Sequence, residues 1–481
     1  MSNYRYFKRF MSLAVALCML CSFAGCNNKS ASSDDSDIKY GDEDYADDED
    51  GDDTVTVDKE NKTVKKNNAA SYDNSNIKHT FTIDENKKEG FLDSVPKDLS
   101  GQEVTVLAWW NKFDYETKKL DKFTQKTGIK IKWIYVTGDD YMQRLASLKA
   151  AGNSPDIAGI TASTFPNAIM QDYFQPVTAG ISTFDSAVYD VDSMNKFKWN
   201  NKYYGVITKG TTYITMALMM YNADMFKKYG VKDPHTLWQE NNWNWDTFLQ
   251  TATEIQKKSG ASGVTAGYHG FRLAQTCGED AVKIDNGKIT NNTGSKTYRD
   301  AYKWINELQP TGQYKVADFS IQREGFLNGK AAMLVEENWA LQKGERFSNT
   351  SFTLGYAPLP CPKGKQLVIP SDAQLWGFPV GAKHTKAAGY VLQYWQNPAY
   401  NEVGYEIWLN DSVAAFCDWL WTQPKVFKVS EGIINYGGDY KWATFSYENS
   451  GAGSDKLDSV MDKWSGVIEA NINKINKEFG K

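Results

Sequence analysis

The sequence predicts an α/β protein with mostly parallel sheets, and three observations carry that reading. Strand-like and helix-like patterns alternate along the chain from about residue 99. From 91 to 481 there is enough chain for two ordinary domains, with no repeat and no proline-rich linker dividing it. Only Cys277, Cys361 and Cys417 lie beyond the N-terminal leader, so at most one disulfide can form there and the core has to hold the fold.

The elements follow in order. Residues 103–110 are a near-continuous apolar run that predicts a buried strand. Residues 115–127 read as a polar helix closed by Gly128, ahead of an alternating strand over 130–136. A helix then places Tyr141, Leu145 and Leu148 on one face, and Gly152-Asn153-Ser154-Pro155-Asp156-Ile157 turns the chain into another short strand. Further on, Asn244 or Asp246 caps an amphipathic helix bearing Phe248, Ala252 and Ile255. Gly329 closes a helical turn before the short apolar strand 331–335. The last helix carries Leu457, Val460, Met461, Trp464, Ile468, Ile472 and Ile475 in register, a stripe that predicts docking against the core.

The N-terminus has a different character. Arg5, Lys8 and Arg9 precede an apolar core over 11–20, the pattern of a secretory signal too short to remain as a membrane span. Ala24-Gly25 before Cys26 resembles a bacterial lipobox, which implies a signal over 1–25 and lipidation of Cys26, whose acyl chains together hold a protein stably at a membrane. Residues 34–53 then hold twelve carboxylates and one lysine, Lys39, and cannot bury enough apolar surface to order themselves. With the polar stretch that follows, 26–90 reads as an acidic disordered tether and 91–481 as the folded domain. The spacing of Asp47, Asp48, Glu49, Asp50 and Gly51 does not fit an EF-hand loop. The net charge of -5 resides in the tract; residues 54–481 carry +2, which gives no footprint for nucleic acid or for a strongly charged ligand.

A set of motifs resembles the bacterial extracellular solute-binding proteins (family 1) that feed carbohydrate ABC importers. The run Phe326-Leu327-Asn328-Gly329-Lys330-Ala331-Ala332-Met333 is similar to that family's F-x-x-G-x-A-A-M signature. Asn201-Lys202-Tyr203-Tyr204-Gly205-Val206 resembles its G-K-x-Y-G-x-P strand, and Met220 to Gly230 its L-x-Y-N-x-D-L-F-x-x-x-G segment. Trp243-Asn244-Trp245-Asp246-Thr247-Phe248 looks like W-T-W-D-E-F, and Tyr356-Ala357-Pro358-Leu359-Pro360 like V-A-P-L-P. The resemblance implies a two-lobe, periplasmic-binding-protein-like fold of type II with the ligand cleft between the lobes. It places lobe 1 at about 99–208 plus 352–398, and lobe 2 at about 211–351 plus 399–481.

In open α/β sheets ligands sit beyond the carboxyl ends of the strands. After the first strand come Trp109, Trp110, Asn111 and Asp114; adjacent residues face opposite ways, and Trp110 is assigned to the cleft, with Asp114 either a hydroxyl acceptor or a helix cap. After the third strand lie Ser163 and Thr164, suited to hydroxyls or to a Ser/Thr turn. The resemblance adds Tyr213 at the crossover, His269 and Arg272 in a second-lobe loop, Asp372 and Trp376 where the family usually has a glycine-rich strand, and Trp419 after a helix. It singles out Trp339 as the aromatic that stacks on a sugar, with Asn338 beside it. Sugars show flat apolar faces edged by hydroxyls, so an aromatic platform with planar hydrogen-bonding groups suits them. With sixteen tryptophans most are structural, and two to four are expected at the ligand.

Reactive chemistry has little support in the sequence. His79, His235, His269 and His384 show no metal-ligand spacing, and no G-x-S-x-G elbow, P-loop or dinucleotide fingerprint occurs. Glu336 and Glu337 are neighbours on a strand and cannot flank one glycosidic bond together. Tyr203 and Tyr204 suit the strand motif better than a ferric-ion site. The expectation is therefore a monomeric, lipid-anchored receptor on the outer face of the bacterial membrane, not an enzyme. It has no cofactor and no nucleic-acid partner, and it passes a carbohydrate to permease subunits. A secreted glycan-active enzyme or a carrier of a non-sugar solute is the alternative.

Overall fold

The computed structural model describes residues 68–73, 85–112, 114–138, 140–186, 188–210, 214–266, 269–308, 314–315, 319–397, 400, 407–437 and 441–479. All lie in the compact unit Glu60–Lys481. The leader, Cys26 and the acidic tract are outside the described residues.

The predicted alternation builds the first sheet. β1 (Glu103–Ala108), the helix Asp114–Thr127, β2 (Lys130–Tyr135), the helix Tyr141–Ala150 and β3 (Ile157–Ile160) follow one another. β1 pairs parallel with β2, Glu103 opposite Lys130 through Ala108 opposite Tyr135, and parallel with β3 on its other edge. Enclosed on both sides, β1 buries Val104, Val106, Leu107 and Ala108, whereas edge strand β2 alternates. Gly128 takes φ +76°, and a Cβ there would meet Ser100 Oγ at 2.1 Å, so this helix end requires glycine. β4 (Phe174–Gln175) and a late strand, β13 defined below, complete the sheet.

The second sheet is organised around β5 (Ile214–Asn222), of whose nine residues only Thr215 is not fully buried. β6 (Ser262–Thr265) follows the helix Trp245–Ser259, which starts in a capping box between Asn244 and Thr247 and buries Phe248, Ala252 and Ile255. β7 (Val282–Asp285) and β8 (Lys288–Asn291) form a separate hairpin, and β9 (Tyr314–Lys315) is short. The helix Phe319–Leu327 leads through Gly329, at φ +70°, into β10 (Ala331–Glu337). β11 (Leu354–Pro358), β12 (Ile369–Ala373), β13 (Leu375–Pro379) and β14 (Lys425–Phe427) come last. The first sheet has the order β2-β1-β3-β13-β4, the second β14-β12-β5-β10-β6-β9, with β11 also on β5.

Two boundaries differ from expectation. Residues from 352 were expected to return to the first lobe, but β11 and β12 pair antiparallel with β5, Pro358 opposite Leu218 and Asp372 opposite Thr215. The long apolar β5 leaves an edge that only these strands cover, so the chain returns to the first sheet at Gln374, between β12 and β13. The helix Thr385–Gln396 then packs on β1, β3 and β13.

The second difference is that 26–90 is not all tether. Ala70 N donates to Leu354 O at 2.9 Å and Leu354 N to Asn68 O at 3.0 Å, adding a bridge to the edge of β11. Tyr72 lies flat on His235, with ring centroids 3.5 Å apart, donates its backbone N–H to Ser412 Oγ at 2.9 Å, and joins Tyr221 through the two hydroxyls. Tyr221 donates onward to Asp233 at 2.8 Å. The helix Glu85–Ser94 sits on the first lobe, with Leu92 buried and Phe91 against Tyr390, Tyr394 and Tyr400. A polar segment with one well-placed tyrosine orders itself by completing another element's hydrogen bonds, which a composition argument does not register.

The C-terminal helix Leu457–Phe479 docks as its stripe requires, burying Leu457, Met461, Trp464, Ile468, Ile472 and Ile475 against the helices Ser430–Ile434 and Trp442–Gly451 and against β8.

Candidate functional site

β6, β10, β12 and β14 all run opposite to β5, so their carboxyl ends share one edge of the second sheet. That edge gathers His269 and Arg272 from the segment after β6, Glu336 to Trp339 from the end of β10, Asp372 from β12 and Lys428 just past β14. Asn338 does not face outward: it is buried, and its Oδ1 accepts from Met216 N at 2.8 Å, tying the end of β10 to the start of β5.

The side chains form paired charges. Arg323 grips Glu336 with two hydrogen bonds, 2.6 Å and 3.0 Å, and Arg272 Nη2 donates to Glu337 Oε1 at 2.5 Å. Lys428 Nζ stands 3.1 Å from Asp372 Oδ2 and 2.8 Å from Glu431 Oε2. Arg272 and Glu336 are each 0 % exposed, so these are desolvated charges that survive by pairing, and the neighbouring His269 ring, 1 % exposed, is buried with them. Burial opposes ionisation of Glu337, yet the charges around it, Arg272 above all and Lys428 after it, with a smaller part from the Trp339 N–H, hold its carboxyl at about 2. Burial raises Glu336 against the pull of Arg323, and burial drives His269 down to about 3, which keeps its ring neutral. Lys428 is held above its ordinary value: burial works against it, but Asp372 and Glu431 outweigh that cost.

Trp339 is half-buried in the turn Asn338–Leu341. Its Nε1–H donates to Glu337 Oε2 at 3.1 Å, and the Arg323 guanidinium lies 5.0 Å from its ring centroid. The ring is therefore fixed at one edge and on one face.

The first lobe contributes a tryptophan cluster at the carboxyl end of β1. Trp109 stacks on Trp376 at 5.7 Å and covers Gly159, where a Cβ would come within 2.4 Å of the ring. Trp110, half-buried, turns its Nε1–H inward to Glu116 Oε2 at 3.1 Å; Glu116 also takes the Trp395 N–H at 3.1 Å. Asn111 follows, exposed. Trp376 was expected to approach a ligand, but it is 0 % exposed. It fills the core because β13 sits inside the sheet between β3 and β4.

Ser163 and Thr164 make the Ser/Thr turn that was the competing reading: Thr161 Oγ1 and Ser163 Oγ lie 2.7 Å apart, and Thr161 N donates to Thr164 Oγ1 at 2.9 Å. This loop touches the second lobe. A Cβ on Gly432 would meet Phe165 O at 2.1 Å, and Asn167 Nδ2 donates to Gly432 O at 2.8 Å, which brings the loop beside the Lys428–Glu431 pair. Further contacts join the lobes: Lys196 Nζ to Lys425 O at 2.7 Å, Phe197 to Phe427 at 5.2 Å, and Asn201 to Asn286 at 2.6 Å and 2.9 Å.

The structure thus brings His269, Arg272, Trp339 and Asp372 to one edge, with Ser163 and Thr164 adjoining. It separates Trp419, which packs on Trp238 at 4.5 Å. Trp419 is in the last turn of the helix Asp411–Thr422, so it sits at the start of β14, the opposite end of that strand from Lys428. Tyr213 and the side chain of Asp114 are outside the described residues. Sequence reasoning missed Arg323, Lys428, Glu431 and Glu116. Arg323 carried one usable signal, a cation one helical turn before Phe326; Lys428 follows a three-residue strand that no periodicity reveals.

Among the described residues no helix is long and apolar enough to cross a membrane. The chain is similar over its fold to a cyclic α-maltosyl-1,6-maltose binding protein from Arthrobacter globiformis, with 15% identity, 77% of this chain and 99% of that chain covered, and a TM-score of 0.62. The sugar-binding protein MalE of Xanthomonas citri gives 16% identity, 79% and 100% coverage and a TM-score of 0.62. An extracellular solute-binding protein from Staphylococcus aureus, solved with maltose, gives 15% identity, 78% and 99% coverage and a TM-score of 0.60. Those neighbours share the two-lobe architecture described above. Residues 118–412 match the family model for bacterial extracellular solute-binding proteins, and with well over half of the chain inside that match, the protein belongs to this family.

Proposed function

We propose that this protein is a lipid-anchored receptor on the outer face of the cell membrane that captures an oligosaccharide between its lobes and delivers it to the permease subunits of an ABC importer. The observation that carries the reading is Trp339: a half-buried ring at the carboxyl end of β10, fixed at one edge and on one face, beside a band of paired charged groups. Such a ring suits the apolar face of a sugar, and the charged groups behind it are engaged with one another, so they hold the ring without presenting a bare charge to the ligand. Similar chains are named for maltose and for a cyclic maltosyl-maltose, which supports a neutral glycan. A glycosidase reading is disfavoured because Glu336 and Glu337 are each engaged by an arginine, so neither stands ready to protonate a leaving oxygen.

Trp339→Ala is expected to weaken oligosaccharide binding by about 1–3 kcal/mol, the scale for an aromatic anchor at a recognition site. Calorimetric titration and a melting curve on the same sample check it; a large loss of stability with unchanged affinity would remove the platform role. Cys26→Ser is expected to release the protein into the medium with its affinity intact, as fractionation of cells would reveal. Persistence of that variant in the membrane fraction would remove the lipid anchor from the reading.

A further inference from the structure

Glu336 and Glu337 are consecutive on β10 and point to opposite faces, yet both lead to the same ring. Glu337 receives the Trp339 N–H directly, at 3.1 Å. Glu336 holds Arg323 by its fork, and the Arg323 guanidinium covers one face of Trp339 at 5.0 Å. Glu337 is in turn held by Arg272, which is fully buried, lies over the Phe271 ring at 4.7 Å and reaches Gln275 Oε1 at 3.5 Å. An indole on a short turn would otherwise be free to rotate about two side-chain bonds, and a ligand would have to stop that motion at an entropic cost.

We propose that Glu337 is a positioning residue for ligand binding. It orients the Trp339 ring through the indole N–H while Arg272 fixes the carboxylate, so the ligand meets one preset ring face. This rests on the reading of Trp339 as a ligand platform. The first lobe repeats the device: the buried carboxylate of Glu116 takes the N–H of half-buried Trp110 and that of Trp395, which sets Trp110 in the same manner. Holding a contact residue by charged groups behind it gives precision that the contact residue alone lacks.

Glu337→Gln keeps the size but puts an NH2 donor where one of the two accepting oxygens stood, so either Arg272 or Trp339 faces a donor. The test uses the soluble Cys26→Ser chain, labelled with 15N at its indoles, with maltotetraose as the probe. The Trp339 indole resonance is assigned by its loss in Trp339→Phe. In the ligand-free protein, Glu337→Gln is expected to broaden that resonance and to speed its hydrogen exchange about tenfold, and the Kd for maltotetraose is expected to rise about tenfold. In the Trp339→Phe background, which has no N–H to hold, Glu337→Gln is expected to change Kd less than about twofold. An unaltered indole resonance, or an equal loss of affinity in both backgrounds, overturns the proposal. If wild type ignores maltotetraose, the choice of sugar fails while the resonance and exchange still decide whether Glu337 sets the ring. Should Glu337→Gln not fold, Arg272→Lys, which keeps the charge but loses the fork, is expected to give the same change in the indole signal.

Discussion

Glu336→Ala is expected to destabilise the protein by about 3–5 kcal/mol, the cost of leaving one member of a buried ion pair behind. Glu336 is 0 % exposed and the Arg323 side chain 10 % exposed, so neither charge can turn to water when its partner is removed. Arg323→Ala should cost about as much from the other side, because it leaves a carboxylate in the core next to Glu337. The double variant Arg323→Leu, Glu336→Leu should recover most of the loss, since two apolar side chains of similar volume need no partner. Exposed Lys232 and Glu240 also form a pair, at 2.8 Å, but their removal should cost less than about 1 kcal/mol because both remain hydrated. Urea unfolding midpoints with a constant m-value give the comparison. Equal, small effects for both pairs would mean that the second-lobe edge is wetter than its geometry indicates.

A chain starting at residue 66 is expected to melt like the full-length protein, whereas one starting at residue 89 should lose at least about 3 kcal/mol. The shorter chain loses the backbone pairing of Asn68 and Ala70 with Leu354 and the stacking of Tyr72 on His235. It also strands the Asn410 amide, whose Nδ2 donates to Ala69 O at 3.2 Å and to Ala70 O at 3.3 Å. Because the same cut shortens the helix Glu85–Ser94, Tyr72→Ala in the full chain isolates the segment's share. It should account for about half of the loss, and it should speed amide exchange at the edge of β11. Identical melting of the two truncated chains would return residues 68–88 to the role of tether.

Residue patterns stop being informative where a group's burial depends on a distant surface, as it does for Glu336 against Arg323 and for Tyr72 against His235. The order β1, helix, β2, helix, β3 was legible because each element's apolar period reflects its own burial. Gly128, Gly329 and Asn244 marked the ends of helices because end geometry is a local requirement. The stripe on Leu457–Phe479 and the position of Trp339 just past β10 were legible for the same reason. Residue patterns therefore carry local information: which stretches are strands or helices, where they stop, and which ring follows which strand. Topology decided that Arg272, Arg323 and Lys428 meet Glu337, Glu336 and Asp372, since those residues come from separate elements that the pairing around β5 brings to one edge. It also decided that β11 and β12 stay in the second sheet, that Trp376 fills the core, that Trp419 lies at the far end of β14, and that Tyr72 docks. Each of these depends on an unfilled edge or cavity elsewhere in the fold, and a side chain carries no local mark of the distant surface that will cover it.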